Sequence, residues 1–214
     1  MPRWSAASDH SLLVSLGEEV SLATHERVLR LSLLLEGTPE LLNIHPGYCS
    51  LLISFDPRRV QYERIVSAVS EALDRMDSVD LPSRRTVEVP VRYGGADGPD
   101  LEDVARLHGI SPEDVVRIHA SAEYLVYFLG FSPGFPYLGG MPAAIATPRL
   151  ATPRTHVPVG SVAIGGDHTG IYPVASPGGW RIIGRTPLEL FRAERAPLTL
   201  LRMGDYVRFV PLAG

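Results

Sequence analysis

Apolar and polar positions follow two different rhythms along this chain of 214 residues, and the change falls near residue 90. Before it, Leu12 to Leu16 reads as a strand. A helical stretch follows from about Glu19 to Leu35, and Gly37 is placed to end it in a left-handed cap. Leu41 to His45 and Ser50 to Phe55 are short extended runs separated by Pro46-Gly47, a turn signal. Asp56-Pro57 then opens a second helix, on which Ile65, Val69, Leu73 and Met76 recur on one face. Thr86 to Val91 alternates Val87, Val89 and Val91 with other residues. Strand, helix, strand, strand, helix, strand predicts a ferredoxin-like α/β domain over residues 1–88.

Beyond residue 89 the helical period nearly disappears. Asp100 to His108, stopped by Gly109, and a segment from Ser111-Pro112 to about Ala120 are the two helices expected there. Ser121 to Leu129 is aromatic and apolar enough for a central strand. It leads into a stiff loop from Gly130 to Pro142, rich in Gly, Pro and aromatic rings. Thr152 to Thr186 holds seven Gly and four Pro in thirty-five residues, and its apolar runs are too brief for helices. Leu188 to Phe191, Leu198 to Met203 and Tyr206 to Pro211 also look extended. The whole predicts an α+β protein whose second domain, residues 89–214, is an almost all-β unit. Closure into a barrel would remove its edges.

Composition narrows the function. The formal charge is −4, from 20 basic and 24 acidic residues, and neither half carries the cationic excess that a nucleic-acid surface needs. Every basic residue is Arg. The absence of Lys excludes a Schiff-base lysine, a phosphate-loop lysine and a biotinyl-lysine in this chain. Cys49 is the single cysteine and reads as a small core residue. No apolar run resembles a signal peptide or a membrane span, which points to a soluble cytoplasmic protein. His156 and His168 lack the close spacing of metal ligands, which argues against a metal site.

A series of motifs now stands out: Tyr93-Gly94-Gly95 with Gly98-Pro99-Asp100-Leu101, the run Gly130 to Leu138 (GFSPGFPYL), Pro153-Arg154, Gly160-Ser161-Val162, Ser176 to Trp180 (SPGGW), Gly184 to Pro187 and Gly204-Asp205. Together they resemble the carboxyltransferase subdomain C and D family. That family includes the B-type component of the prokaryotic ATP-dependent 5-oxoprolinase, the kinase inhibitor KipI and proteins called allophanate hydrolase subunit 1. The resemblance implies a small α/β domain followed by a cyclophilin-like β-barrel. It also implies partners. Members most like this chain act with a C-type subunit, from the subdomain A and B family, and an A-type lactamase-like subunit. Together these use ATP to open 5-oxo-L-proline to L-glutamate.

Such chemistry would require cations and N–H donors for phosphates and a carboxylate. Arg154 and Arg185 are the candidate catalytic cations, and the turn Ser176, Gly178, Gly179 is the candidate nest of backbone donors. Trp180 either joins that site or fills the barrel. Arg154, His156, Ser161, Ser176 and Arg185 would face one concavity if the strands close into a barrel. His119 is either a helix-end structural residue or an acid–base group reaching the barrel mouth. In the loop, Phe131, Pro133, Gly134, Phe135 and Tyr137 either anchor a partner or plug the barrel end. Arg154→Ala is expected to reduce activity and leave the fold intact. ATP is expected at a composite site or on the partner, because no phosphate loop is present. Two alternative functions remain open: inhibition of a histidine kinase, as KipI does, and a part in urea or allophanate carboxyltransfer, with biotin carried elsewhere.

Overall fold

The computed structural model describes residues 2–194 and 196–212. Its contacts divide the chain into two compact units, Met1–Ser83 and Arg84–Gly214. No helix among the described residues is long and apolar enough to cross a membrane.

The first unit opens with a hairpin of β1 (Arg3–Ser8) and β2 (Ser11–Ser15). Helix α1 (Leu22–Leu35) starts where the Ser21 hydroxyl accepts the Thr24 amide at 3.1 Å, so it begins later than its apolar period suggests. Strands β3 (Leu41–Pro46) and β4 (Ser50–Phe55) form the expected hairpin, and α2 (Tyr62–Arg75) follows. The sheet is antiparallel in the order β1-β2-β4-β3. Leu51, Ile53 and Phe55 alternate inward on β4 and are buried, as are Val28, Leu31, Ile65 and Val69 of the helices.

One strand differs from the sequence-based expectation. The place beside β2, expected for residues 86–91, is taken by β1, whose side chains are mostly exposed. Residues Thr86–Tyr93 form β5 in the second unit, so the expected boundary at 88/89 falls inside a continuous strand. A ferredoxin-like closing strand is therefore absent from the first unit. Alternation declares which face of a strand is buried, whereas the identity of its neighbour is decided at long range.

In the second unit, α3 (Leu101–His108) and α4 (Pro112–Ser121) precede β6 (Glu123–Leu129) and β7 (Pro136–Gly139). Next come β8 (Arg154–Val157), β9 (Ser161–Gly165), β10 (His168–Ile171), β11 (Ser176–Gly178), β12 (Arg181–Arg185) and β13 (Tyr206–Pro211). Seven strands close into a barrel in the order β10-β7-β6-β13-β5-β12-β9, with β8 and β11 paired as a separate ribbon. Only β13 and β5 run parallel. Val89, Val91, Val126, Val162, Ile164, Ile183, Val207 and Phe209 fill the interior with inward-facing apolar groups. Residues 188–191 and 198–203, expected as strands, meet only through the isolated Phe191–Thr199 bridge and flanking backbone bonds.

Candidate functional site

The chain leaves β6 through a tight loop that shapes one end of the barrel. Ser132 donates its amide to the Gly130 carbonyl at 2.7 Å, a γ-turn with Phe131 at its centre and φ of +66°. A bulky residue in the left-handed region stores backbone strain of about 1–3 kcal/mol. The turn holds the Phe131 ring out, 63% exposed, with its edge on Phe135 and Tyr172. Gly134 sits at φ +82° against Leu190 and Phe191, a place without room for a side chain, while Pro133 faces outward.

The candidate rings thus separate. Phe135 is 2% exposed and lies at the centre of a cluster with Tyr137, Tyr172 and Trp180, at centroid distances of 5.2, 5.1 and 5.5 Å. It packs with Ala163 and Ile182 on the outer face of the barrel wall, apart from the interior cluster, and neither plugs the barrel end nor is available to anchor a partner. Tyr137 is half-buried and stacks on Phe128. Trp180 lies on the bare backbone of Gly165, where a Cβ would overlap the indole.

Charged groups border this cluster. The Arg149 guanidinium sits 5.5 Å from the centre of the Trp180 ring, held there because the Leu150 amide donates to the Gly179 carbonyl at 2.7 Å. Arg149 is exposed and makes no hydrogen bond or ion pair among the described residues. Arg154 donates from Nη2 to Asp100 Oδ1 at 2.7 Å, and Asp100 Oδ2 accepts the Ile182 amide at 2.7 Å. Asp100 is 4% exposed, so Arg154 completes a buried carboxylate. Arg154→Ala would strip that carboxylate of its counter-charge, so a loss of stability is expected beside the loss of activity that the sequence suggested.

Two polar atoms here are buried without a partner: Arg154 Nη1 and Ser176 Oγ. Ser176 lies opposite Val157, and Gly178 opposite Arg154, across the β8–β11 ribbon. Gly178 presses against the Tyr172 hydroxyl, where a Cβ could not fit. Burial pushes the Tyr172 phenol up, while the Trp180 amide and the positive charges of Arg149 and Arg154 pull it down. Two guanidiniums and an aromatic wall therefore border Tyr172.

Other candidates lie elsewhere. Arg185 donates to the Val159 carbonyl at 2.8 Å and stands 4.0 Å from Asp97, so its cation is spent on the barrel wall. Ser161 is 1% exposed within β9, and its carbonyl accepts the Tyr172 amide. His119 is fully buried inside the barrel, 4.5 Å from the Phe209 ring, and not at the mouth. The Thr169 hydroxyl gives its proton to the Ala163 carbonyl, so His119 Nε2 must donate to Thr169 at 3.0 Å. Nδ1 then accepts the Tyr93 hydroxyl proton at 2.8 Å. Both ring nitrogens are satisfied in the neutral form, and desolvation lowers the imidazole pKa from 6.5 to about 3.

This burial has a measurable consequence. Below pH 6.5 the unfolded chain takes up a proton that folded His119 refuses, so stability falls as pH drops from about 6.5 toward about 3. Unfolding by denaturant, followed through Trp180 in a Trp4→Phe background, is expected to show a loss of about 2 kcal/mol between pH 7 and pH 5. A flat response across that window would disprove the neutral, buried assignment.

Sequence reasoning missed Arg149, Asp100 and Tyr172 as members of one cluster. Asp100 stands in a quoted motif but reads there only as the first residue of a helix, which begins one residue later. Arg149 lies outside every motif and acquires its position only through the contact of Leu150 with Gly179.

The family described as carboxyltransferase domain, subdomain C and D, matches residues 2–201. The B-type component of the Bacillus subtilis 5-oxoprolinase is 42% identical, over 96% of this chain and 90% of that protein. Its counterpart from Escherichia coli O157:H7 is 45% identical, over 94% and 92%. Among solved structures, TTHA0988 superposes with a TM-score of 0.83 and 39% identity; the match covers 95% of this chain but only 40% of that one. The protein PH0987 from Pyrococcus horikoshii is 44% identical over 98% of this chain and 97% of its own, with a TM-score of 0.59. Likeness to Kluyveromyces lactis urea carboxylase, at 22% identity and a TM-score of 0.76, speaks to the fold alone. With its barrel, its motifs and its nearly full-length relatives in agreement, the chain belongs to the carboxyltransferase subdomain C and D family.

Proposed function

We propose that this chain is the B-type component of an ATP-dependent 5-oxoprolinase, a cytoplasmic complex that opens 5-oxo-L-proline to L-glutamate with A-type and C-type subunits. The observation that carries this reading is identity of 42% and 45% to two proteins of that name over nearly the whole of each chain. The exposed, strained Phe131 supports a role in assembly, because a rigid aromatic loop offers contact area at little entropic cost.

The nucleotide is assigned to a composite surface or to a partner. Around Tyr172 the charge of Arg154 is already matched by Asp100, which leaves Arg149 as the unmatched cation. One positive charge is a poor match for a triphosphate, so no step through ATP is derived on this chain. Its contribution is to bind and orient.

The urea and allophanate reading rests on a urea amidolyase from Lachancea kluyveri, 28% identical over 97% of this chain and 13% of that protein. The lower identity makes it the weaker of the two. Purified chain, alone and co-expressed with its candidate A-type and C-type subunits, tests the proposal by 5-oxoproline-dependent ATP hydrolysis and glutamate release. Turnover is expected only in the mixture. A verified three-part complex that is inactive on 5-oxoproline would reject the reading, and binding to a histidine kinase would then be measured as the KipI-like alternative.

A further inference from the structure

We infer that the free edge of β1 pairs with the same strand of a second copy of this chain, antiparallel about a twofold axis, to give one continuous eight-stranded sheet. β1 is the outer strand of the first unit's sheet, and apart from its ladder with β2 it makes no backbone hydrogen bond among the described residues. An open edge of this kind is a template for another strand, and proteins blunt it with proline, lysine, bulges or inward charges. The opposite edge is blunted. There β3 ends in Pro46, is irregular between Leu41 and Asn43, and has its Ile44 amide taken by the Asn43 side chain at 2.8 Å. Arg3–Ser8 contains neither proline nor lysine, and its irregularity lies near its end, between Ala6 and Ser8.

Charge and size along this edge select a second copy as the occupant. Arg3 opens the strand and Asp9 follows its end, with side chains 75% and 87% exposed. Antiparallel self-pairing sets each Arg3 beside Asp9 of the other copy, whereas parallel pairing would set like charges together. Their present pairs, with Glu18 and His10, are exposed, worth little and readily exchanged. Trp4 lies on the helix side of the sheet, opposite the buried Val14, yet stays 43% exposed beside a concavity of about 770 Å³ lined by Leu16, Ser21, Thr24 and Arg27. With the axis at Ser5, each Trp4 faces Ala6 of the other copy, a large ring against a small residue, twice over; an axis at Trp4 would instead oppose the two indoles. Val20 and Leu22, exposed on either side of Ser21, add apolar surface beside the ring. About five residue pairs and two indoles make a small interface, so dissociation in the micromolar range is expected.

Sedimentation equilibrium of the full chain, from about 1 to about 300 µM, tests the pairing and should show a monomer–dimer equilibrium. Ser5→Arg places two like charges across the axis and should weaken association at least about tenfold, as should Ser5→Glu. Both variants should keep the wild-type unfolding midpoint, because Ser5 is exposed. Mixed in equal amounts, they should recover wild-type association, which an interface elsewhere on the chain would not produce. In a Cys49→Ser background, Ser5→Cys treated with oxidised glutathione should give a covalent dimer, since residues facing each other across antiparallel strands lie about 4.5–5.5 Å apart, within disulfide reach. A monomer at every concentration, association indifferent to Ser5→Arg, failure of the mixed variants to reassociate, or absence of the cross-link would each overturn the inference.

Discussion

Alanine in place of Asp100 is expected to lower the unfolding midpoint of the barrel unit by about 12 °C, the largest effect of any single change considered. The carboxylate is 4% exposed and serves two groups at once, the Arg154 guanidinium and the Ile182 amide, both at 2.7 Å. Its removal leaves a strand amide unpaired, a cost of about 1–3 kcal/mol. It also leaves Arg154 without its counter-charge. Breaking a fully buried pair costs about 3–5 kcal/mol, but Arg154 keeps 30% of its side chain in solvent, so a smaller share applies. A total of about 3 kcal/mol, at about 4 °C per kcal/mol for a unit of this size, gives the expected shift. A double-mutant cycle with Arg154→Gln checks the account. Asp100→Asn combined with Arg154→Gln should recover more than half the loss; additive effects would show that the pair is not coupled.

Gly165→Ala should be nearly as damaging, for a reason of space. Gly165 is not in the left-handed region, so alanine is conformationally acceptable there. The obstacle is the Trp180 indole, which occupies the volume of the missing side chain. Phe135 at 5.5 Å and Tyr137 at 5.9 Å close off its retreat. Overpacking of this kind costs about 1–3 kcal/mol, and a midpoint about 8–10 °C lower follows. Because Arg149 rests on the same indole, near-ultraviolet circular dichroism should change together with the midpoint. A variant with wild-type midpoint and spectrum would mean that the indole has somewhere else to go.

The helices and most strands were legible because their signals are local. Ser111 followed by Pro112 marks the start of α4 by capping chemistry, and the structure agrees, with the Ser111 hydroxyl accepting the Asp114 amide. Strand β1 was invisible: Arg3–Ser8 carries exposed residues on both faces and is a strand because β2 supplies its bonds. The site was legible in part. Arg154 and the Ser176–Gly178 turn do pair across the β8–β11 ribbon, but Arg154 lies opposite Gly178 and Ser176 opposite Val157. Arg185 and His119 were drawn to the site by residue type and by their place in the motif series, whereas Asp97, Val159, Tyr93 and Thr169 are the groups that use them. No local pattern announces that a cation at 149 will meet a ring at 180.

Strand β5 finds its parallel neighbour only in β13, from Thr86 with Tyr206 to Val91 with Pro211. During synthesis at about 5–20 residues per second, the 118 residues from Tyr93 to Pro211 take about 6–24 s to appear. For that interval a strand bearing Val87, Val89 and Val91 is outside the ribosome without the partner that covers its edge. Its intervening positions are Glu88, Pro90 and Arg92: two charges and a residue that cannot donate to a ladder. The strand that waits longest is thus the one whose outward residues discourage pairing with a neighbouring nascent chain.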